Sequence, residues 1–220
     1  KYENLFHFAI KLGGAAKKMG KKPVLFIIAA ERLLPDVVNK YYSELSDIFI
    51  FTADYKKQLQ LEDKYAQIEN AIDAGIDTPF SIKIKSTEET AKYKNSLIFP
   101  LLVKANKGKD FYDEFGTQVF RAKNYEELVE IVRRVGKYEL LVQEEVPGAI
   151  EDLKTLGSYF GRNHQPHGIF TGHKIRISRD YGTCSLGISS KNDEVIEKGT
   201  AFLKSVNYFG ASQVEFMRDA

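Results

Sequence analysis

FPLLVKANKGKD (99–110) carries an apolar run into Lys104 and follows it with Lys107 and Lys109 around Gly108. A buried ammonium without a partner is costly or sheds its proton. Lys104 is therefore either solvated at the wet end of a strand or matched by an anion. Phosphate suits it, because the loop behind it adds N–H groups and positive charge. No GxxxxGK[ST] occurs anywhere in the chain, so this is not a Walker A loop. LLVQEEVPGAIED (140–152) ends a strand on a Pro-Gly turn beside Glu144, Glu145 and Glu151. Free backbone groups at such an end can read an adenine edge, and a carboxylate can take ribose hydroxyls; the plainer reading is a solvated acidic hairpin. FTGHKIRISRDYG (170–182) sets Lys174 and Arg176 two residues apart, on one face of a strand. Two cations there repel unless an anion or water separates them. GASQVEFMRD (210–219) holds Glu215 inside an apolar strand, facing solvent or serving as an oxygen donor for a hard divalent cation.

The elements that must position these residues are legible in the pattern. An apolar stretch from Leu5 to Met19 precedes a β-branched run, Val24 to Ile28, which reads as a buried strand. Leu34, Val37, Val38, Tyr41 and Leu45 recur at helical spacing, and DIFIF (47–51) reads as the next strand. Tyr65, Ile68 and Ile72 mark one helix face, closed by Gly75 and Pro79. SIKIK (81–85) alternates as a strand. Asn124 and Glu127 make a capping box for a helix with Leu128, Val129, Val132 and Val135 inward, ended by Gly136. ELLVQ (139–143), LKTLGSYF (153–160) and GIFTGHKIRIS (168–178) follow as strands. A helix bearing Val195, Phe202, Leu203 and Val206 leads to a closing strand over 211–217. The order predicts an α/β start followed by two α+β units hinged near VPG (146–148).

With 220 residues, 43% hydrophobic and 28% charged, the chain has the composition of a globular protein with a substantial core. A net charge of +2 gives no argument for a nucleic-acid or membrane-surface partner. One cysteine excludes an intrachain disulfide and fits a reducing compartment, so a cytoplasmic location is expected. No apolar run approaches the ~18 residues of a membrane span. His164 and His167 lack a third donor and read as surface residues, and Cys184 reads as a small buried side chain.

Taken in order, KKPVLFIIAAE, LEDKYAQIENAIDAGIDTPFS, FPLLVKANKG, NYEELVEIV, LLVQEEVPG, HKIRISRDYG and GASQVEFMRD resemble the ATP-grasp superfamily over roughly 23–219. Within it the chain is similar to the carboxylate–amine ligases, relatives of carbamoyl-phosphate synthase and D-alanine–D-alanine ligase. The resemblance implies an α/β chain, α+β in its ATP-grasp part. A Rossmann-like domain would span 1–55, a central ATP-grasp subdomain 56–146 and a C-terminal one 147–220. It implies ATP as nucleotide and Mg²⁺, with Mn²⁺ as an alternative. Lys64 and Lys104 match nucleotide-contacting lysines. Gln143, Glu144, Glu145 and Val146 match the adenine hinge, with Glu145 or Glu151 at the ribose. Lys174 and Arg176 match basic residues facing the transferred phosphate, and Glu215 matches a magnesium-binding carboxylate.

The activity so implied is formation of an acyl phosphate from a small carboxylate and ATP, then attack by an amine; a homodimer is compatible with it. A carbamoyl-phosphate-synthase-like or carboxylase-like enzyme, an ATP-binding module without turnover, and an interaction domain without nucleotide are the alternatives. Two departures stand out. The loop ANKGKDFYDEFGTQ (105–118) is bulky and acidic where many members are glycine-rich. The family's Glu-x-Asn segment is expected beyond Ala220, and KYENLFHF lacks an initiator methionine, so the chain is expected to be part of a longer protein.

Overall fold

The computed structural model describes residues 3–27, 40–107, 110–178 and 184–218. Helix α1 (Glu3–Lys18) precedes β1 (Val24–Leu25); α2 (Tyr42–Ile48) leads into β2 (Ile50–Phe51), which pairs with β1 in parallel. Phe6, Tyr41, Leu45, Phe51 and Tyr55 form the core beneath this pair. Leu25 and Ile27 face that core, but Val24 is 59% exposed and Phe26 is exposed with it. The strand expected to be buried is therefore covered on one face only. Ile28, Leu34, Val37 and Val38 lie outside the described residues.

Helix α3 (Tyr55–Gln60) is capped by Asp54, whose carboxylate accepts from the Lys57 N–H. Helix α4 (Lys64–Asp73) is capped in the same way by Asp63 and stops before Gly75, whose φ of +72° suits a residue without Cβ. Its inward face differs from the expected one. Ala71 and Ala74 pack inward while Ile72 is exposed, because α4 rests on the C-terminal half of the chain through Leu61, Ala71 and Ile76.

The central sheet contains β3 (Ser81–Ile84), β4 (Leu101–Ala105), β5 (Phe120–Ala122) and β6 (Leu140–Glu144), in the order β3-β6-β4-β5 and antiparallel throughout. Helices α5 (Thr87–Tyr93), α6 (Asp110–Phe115) and α7 (Tyr125–Val135) accompany it. Leu128, Val132 and Val135 of α7 are buried against Leu101, Val103 and Val142. The cap of α7 has Asn124 accepting from the Glu127 N–H, while Glu127 accepts from the N–H of Lys123, one residue before the capping residue. On β4, Leu101, Val103 and Ala105 are buried beneath the helices. The period of two therefore turns Leu102 and Lys104 to the opposite face.

The second sheet is β10-β7-β8-β9, formed by β7 (Leu153–Phe160), β8 (Pro166–Ile177), β9 (Cys184–Ser189) and β10 (Gly210–Met217), again antiparallel. Helix α8 (Asp193–Ser205) covers one face, burying Leu156, Phe160, Val195, Phe202 and Leu203. Gly199 permits that approach, since a Cβ there would stand 2.4 Å from Leu156 Cδ2. The architecture is mixed helix and sheet, α+β in both antiparallel units. Cys184 is exposed, contrary to the buried side chain expected, because β9 is an edge strand exposed along its whole length.

Candidate functional site

Lys104 sits on the uncovered face of β4, in register with Leu141, and its ammonium donates to Gln143 Oε1 at 3.0 Å. Gln143 is oriented in turn, its Nε2 donating to Ser81 Oγ at 2.9 Å. Burial pushes the Lys104 ammonium down to about 8, and the nearby Lys64 ammonium adds to the shift. Lys64 is the first residue of α4. Its Nζ donates to Ala105 O at 2.9 Å and Asn106 O at 3.4 Å, and burial lowers its pKa against the pull of Asp63 and Glu62. Two ammonium groups thus share one patch, and the hydrogen-bond acceptors of both are neutral amide and carbonyl oxygens.

Beneath them Asn106, fully buried, ties three elements together. Its Oδ1 accepts from the Tyr65 N–H at 2.9 Å, and its Nδ2 donates to Asp63 Oδ1 at 3.0 Å and Glu139 Oε2 at 2.8 Å. Asp63 also pairs with Lys107 at 2.8 Å. Burial alone would raise the Asp63 carboxyl, but hydrogen bonds from Lys107, the Ala66 N–H and Asn106 bring it down to about 2. Gly108 and Lys109 of the same loop lie outside the described residues.

The end of β6 forms the next wall. The N–H groups of Glu144 and Glu145 donate to Phe80 O and Pro100 O, whereas no described residue accepts from the Val146 N–H. The Glu144 carboxylate accepts from the Phe80 N–H at 3.3 Å, and Glu145 pairs with Arg121 of β5. Glu151, exposed on the 3₁₀ turn Ile150–Asp152, stands outside the lining of the cleft. Of the two carboxylates expected at a ribose, Glu145 is thus paired with Arg121 and Glu151 is not among the cleft's lining residues.

Across from the lysines, Lys174 of β8 bridges to Glu215 of β10, Nζ to Oε1 at 2.9 Å, and Gln213 Nε2 donates to the same oxygen at 3.2 Å. Lys174 is 12% exposed and Glu215 36%. Arg176 is not on this face. The β8–β9 register shifts between Lys174 and Arg176 and again before Ile177, breaking the alternation. Lys174 and Ile177 therefore line the cleft, while Arg176 Nε donates to Ser185 Oγ at 3.1 Å. The expectation that both cations share one strand face is corrected accordingly.

Lys64, Lys104, Gln143, Glu144, Glu145, Val146, Lys174 and Glu215 all line one open cleft of about 1340 Å³. Leu102, Leu153, Phe216 and Met217 give it apolar walls between its charged ends.

Compared by sequence, the chain matches no protein-family model and no curated protein. Compared by structure, it is similar to an ADP complex of N5-carboxyaminoimidazole ribonucleotide synthetase, with a TM-score of 0.66, 14% identity and 96% of this chain covered. An L-amino acid ligase from Bacillus licheniformis gives a TM-score of 0.66 at 15% identity over 96% of this chain. A biotin carboxylase–β,γ-ATP complex from Campylobacter jejuni gives 0.68 at 13% identity over 94%. The chain has the ATP-grasp fold.

It spans 64%, 49% and 48% of the length of these three structures. Among the described residues of this ATP-grasp chain the donors around Glu215 do not make up a metal site. Among the described residues no three His, Cys, Asp or Glu side chains are grouped to hold a cation. Of the described carboxylates, Mg²⁺ would meet Glu215 at this end of the cleft, paired with the Lys174 ammonium. Arg121, Asp63 and Asn106 were not singled out from the sequence. Asp63 had a readable signal, an acidic residue just before a helix; Arg121 and Asn106 had none, their partners being far along the chain. No helix among the described residues is long and apolar enough to cross a membrane.

Proposed function

We propose that the cleft binds ATP and that the protein uses it to join a carboxylate to an amine. The observation that carries this reading is the pair of ammonium groups, Lys64 and Lys104, held by neutral acceptors on the floor of a large cleft. Polyphosphate satisfies such a pair. Adenine would lie at the hinge, with the Val146 N–H as donor, against Leu102, Leu153 and Met217. The units 56–146 and 147–220 would then close on the nucleotide from either side.

In the first step an oxygen of the substrate carboxylate attacks the γ-phosphorus, the bond to the β-phosphate oxygen breaks, and ADP leaves. In the second the amine nitrogen attacks the acyl carbon, loses a proton, and inorganic phosphate leaves. Such transfers rest on alignment and charge neutralisation more than on a general base. Lys64 and Lys104 would hold the phosphates, and Lys174, oriented by Glu215, would face the group in transit.

A second reading is carboxylation, with bicarbonate as the acid; it is favoured by two of the three similar structures, which are named for carboxylated products or carboxylase activity. The test is ADP release with ATP and Mg²⁺, across amino-acid pairs and across amines with bicarbonate. Release that requires both an amino acid and an amine, with an amide product by mass spectrometry, is expected. Release with bicarbonate alone as the acid would favour the second reading, and ATP binding without ADP formation under any condition would overturn both.

A further inference from the structure

We propose that Asn106 is a positioning residue that docks the start of α4 on the end of β4 and thereby sets the spacing of the Lys64 and Lys104 ammonium groups. The first N–H groups of a helix have no partner within it. In α4 the N–H of Lys64 donates to Asn106 O at 3.2 Å, that of Tyr65 to Asn106 Oδ1 at 2.9 Å, and that of Ala66 to Asp63 Oδ1 at 3.0 Å. Asn106 therefore caps the helix from another element, and its Nδ2 grips the helix's own cap, Asp63. On the other side the Asn106 N–H donates to Glu139 O at 2.8 Å and its Nδ2 to the Glu139 carboxylate, anchoring it to the residue before β6. Every polar group of this fully buried side chain is used.

The consequence falls on Lys64, whose Nζ is bonded to Ala105 O, one residue from Lys104 along β4. Two like charges on neighbouring elements drift apart unless the backbones are fixed to each other. Asn106 is that fixture, and it is neutral, so it joins the elements without cancelling the charge that they present.

The inference rests on the nucleotide reading for its first test only. ATP affinity is measured by calorimetry for wild type, Asn106→Ala, Lys64→Met and the double variant. Asn106→Ala is expected to weaken ATP about tenfold in the wild-type background, roughly 1.4 kcal/mol, and to add little once Lys64 is methionine. Equal losses in both backgrounds, or no loss, would overturn the assignment. Should Asn106→Ala fold poorly, Glu139→Ala removes one anchor from a partly exposed position and is expected to give a smaller loss with the same dependence on Lys64. The second test needs no nucleotide. The Lys104 side chain is titrated by ¹³Cε NMR in the same four proteins. Its pKa is expected to rise in Asn106→Ala as the Lys64 charge is released, and not to rise further from Lys64→Met to the double variant. A Lys104 titration that Asn106→Ala leaves in place would sink the positioning role whatever the chain binds.

Discussion

Lys104 is a residue that works against the fold. Its ammonium titrates near 8 in the folded chain against an ordinary 10.5, because burial and Lys64 disfavour the charge. Below pH 8 folded and unfolded chains are both protonated there, and the full penalty is present. Between 8 and 10.5 the unfolded chain binds more protons, so stability rises with pH as the penalty is relieved. Lys104→Met is therefore expected to melt above wild type at pH 7, the difference closing by about pH 10.5. The same variant is expected to bind ATP more weakly at pH 7, while wild-type affinity falls towards the variant's as pH passes 8. Calorimetry and thermal melts across this range check both; a destabilised variant at pH 7 would contradict the electrostatic account. A group that costs stability and sits in a cleft has the profile of a functional residue.

Helix α4 matters chiefly for where it starts. Asp63 Oδ1 accepts from both the Ala66 N–H and Asn106 Nδ2, and its other oxygen meets Lys107. Asp63→Ala removes a cap and strands a buried donor, together about 2 kcal/mol or more, or roughly 4–8 °C of Tm in a chain of this size. Asp63→Asn keeps the cap geometry but not the charge, and is expected to lose less. The Asp63 carboxyl is held at about 2, below its ordinary 3.8, so its charge stabilises the fold above about pH 4 and the benefit is lost as pH falls towards 2. The Tm difference between wild type and Asp63→Asn should close over that interval. At the other wall, the shifted register of β8 against β9 decides which cation enters the cleft. Arg176 turns to Ser185 of the edge strand β9, and Lys174 to the cleft.

Beyond the N-terminal parallel pair, the described residues build two four-stranded antiparallel sheets, each covered by helices on one face and lining a common cleft on the other. A ligand that touches both sheets stabilises the folded state as a unit. ATP at a hundred times its Kd is expected to add about 2.7 kcal/mol, or roughly 5–10 °C in Tm. Hydrogen exchange should show protection at the end of β6 and along β10 together. Protection confined to the central sheet would mean that the nucleotide does not bridge the two.

Much of this was readable before any tertiary structure. The turn of Lys104 to an open face follows from Leu101, Val103 and Ala105 alternating with it, a period imposed by strand geometry itself. The Pro-Gly turn after β6, the caps of α4 and α7 and the α+β order are local in the same sense, and local conformation is what neighbouring residues dictate. Pairings between distant residues are not. Arg121 with Glu145, Asn106 with Asp63 and Glu139, and Lys174 with Glu215 each join residues tens of positions apart, and no short-range pattern announces them. Arg176 left the site because the strand beside it slipped register, and Ile72 faces outward because α4 packs on α8, more than a hundred residues downstream. Chain geometry decided which residues could reach a common cleft, and only the packing of the two sheets decided which of them did.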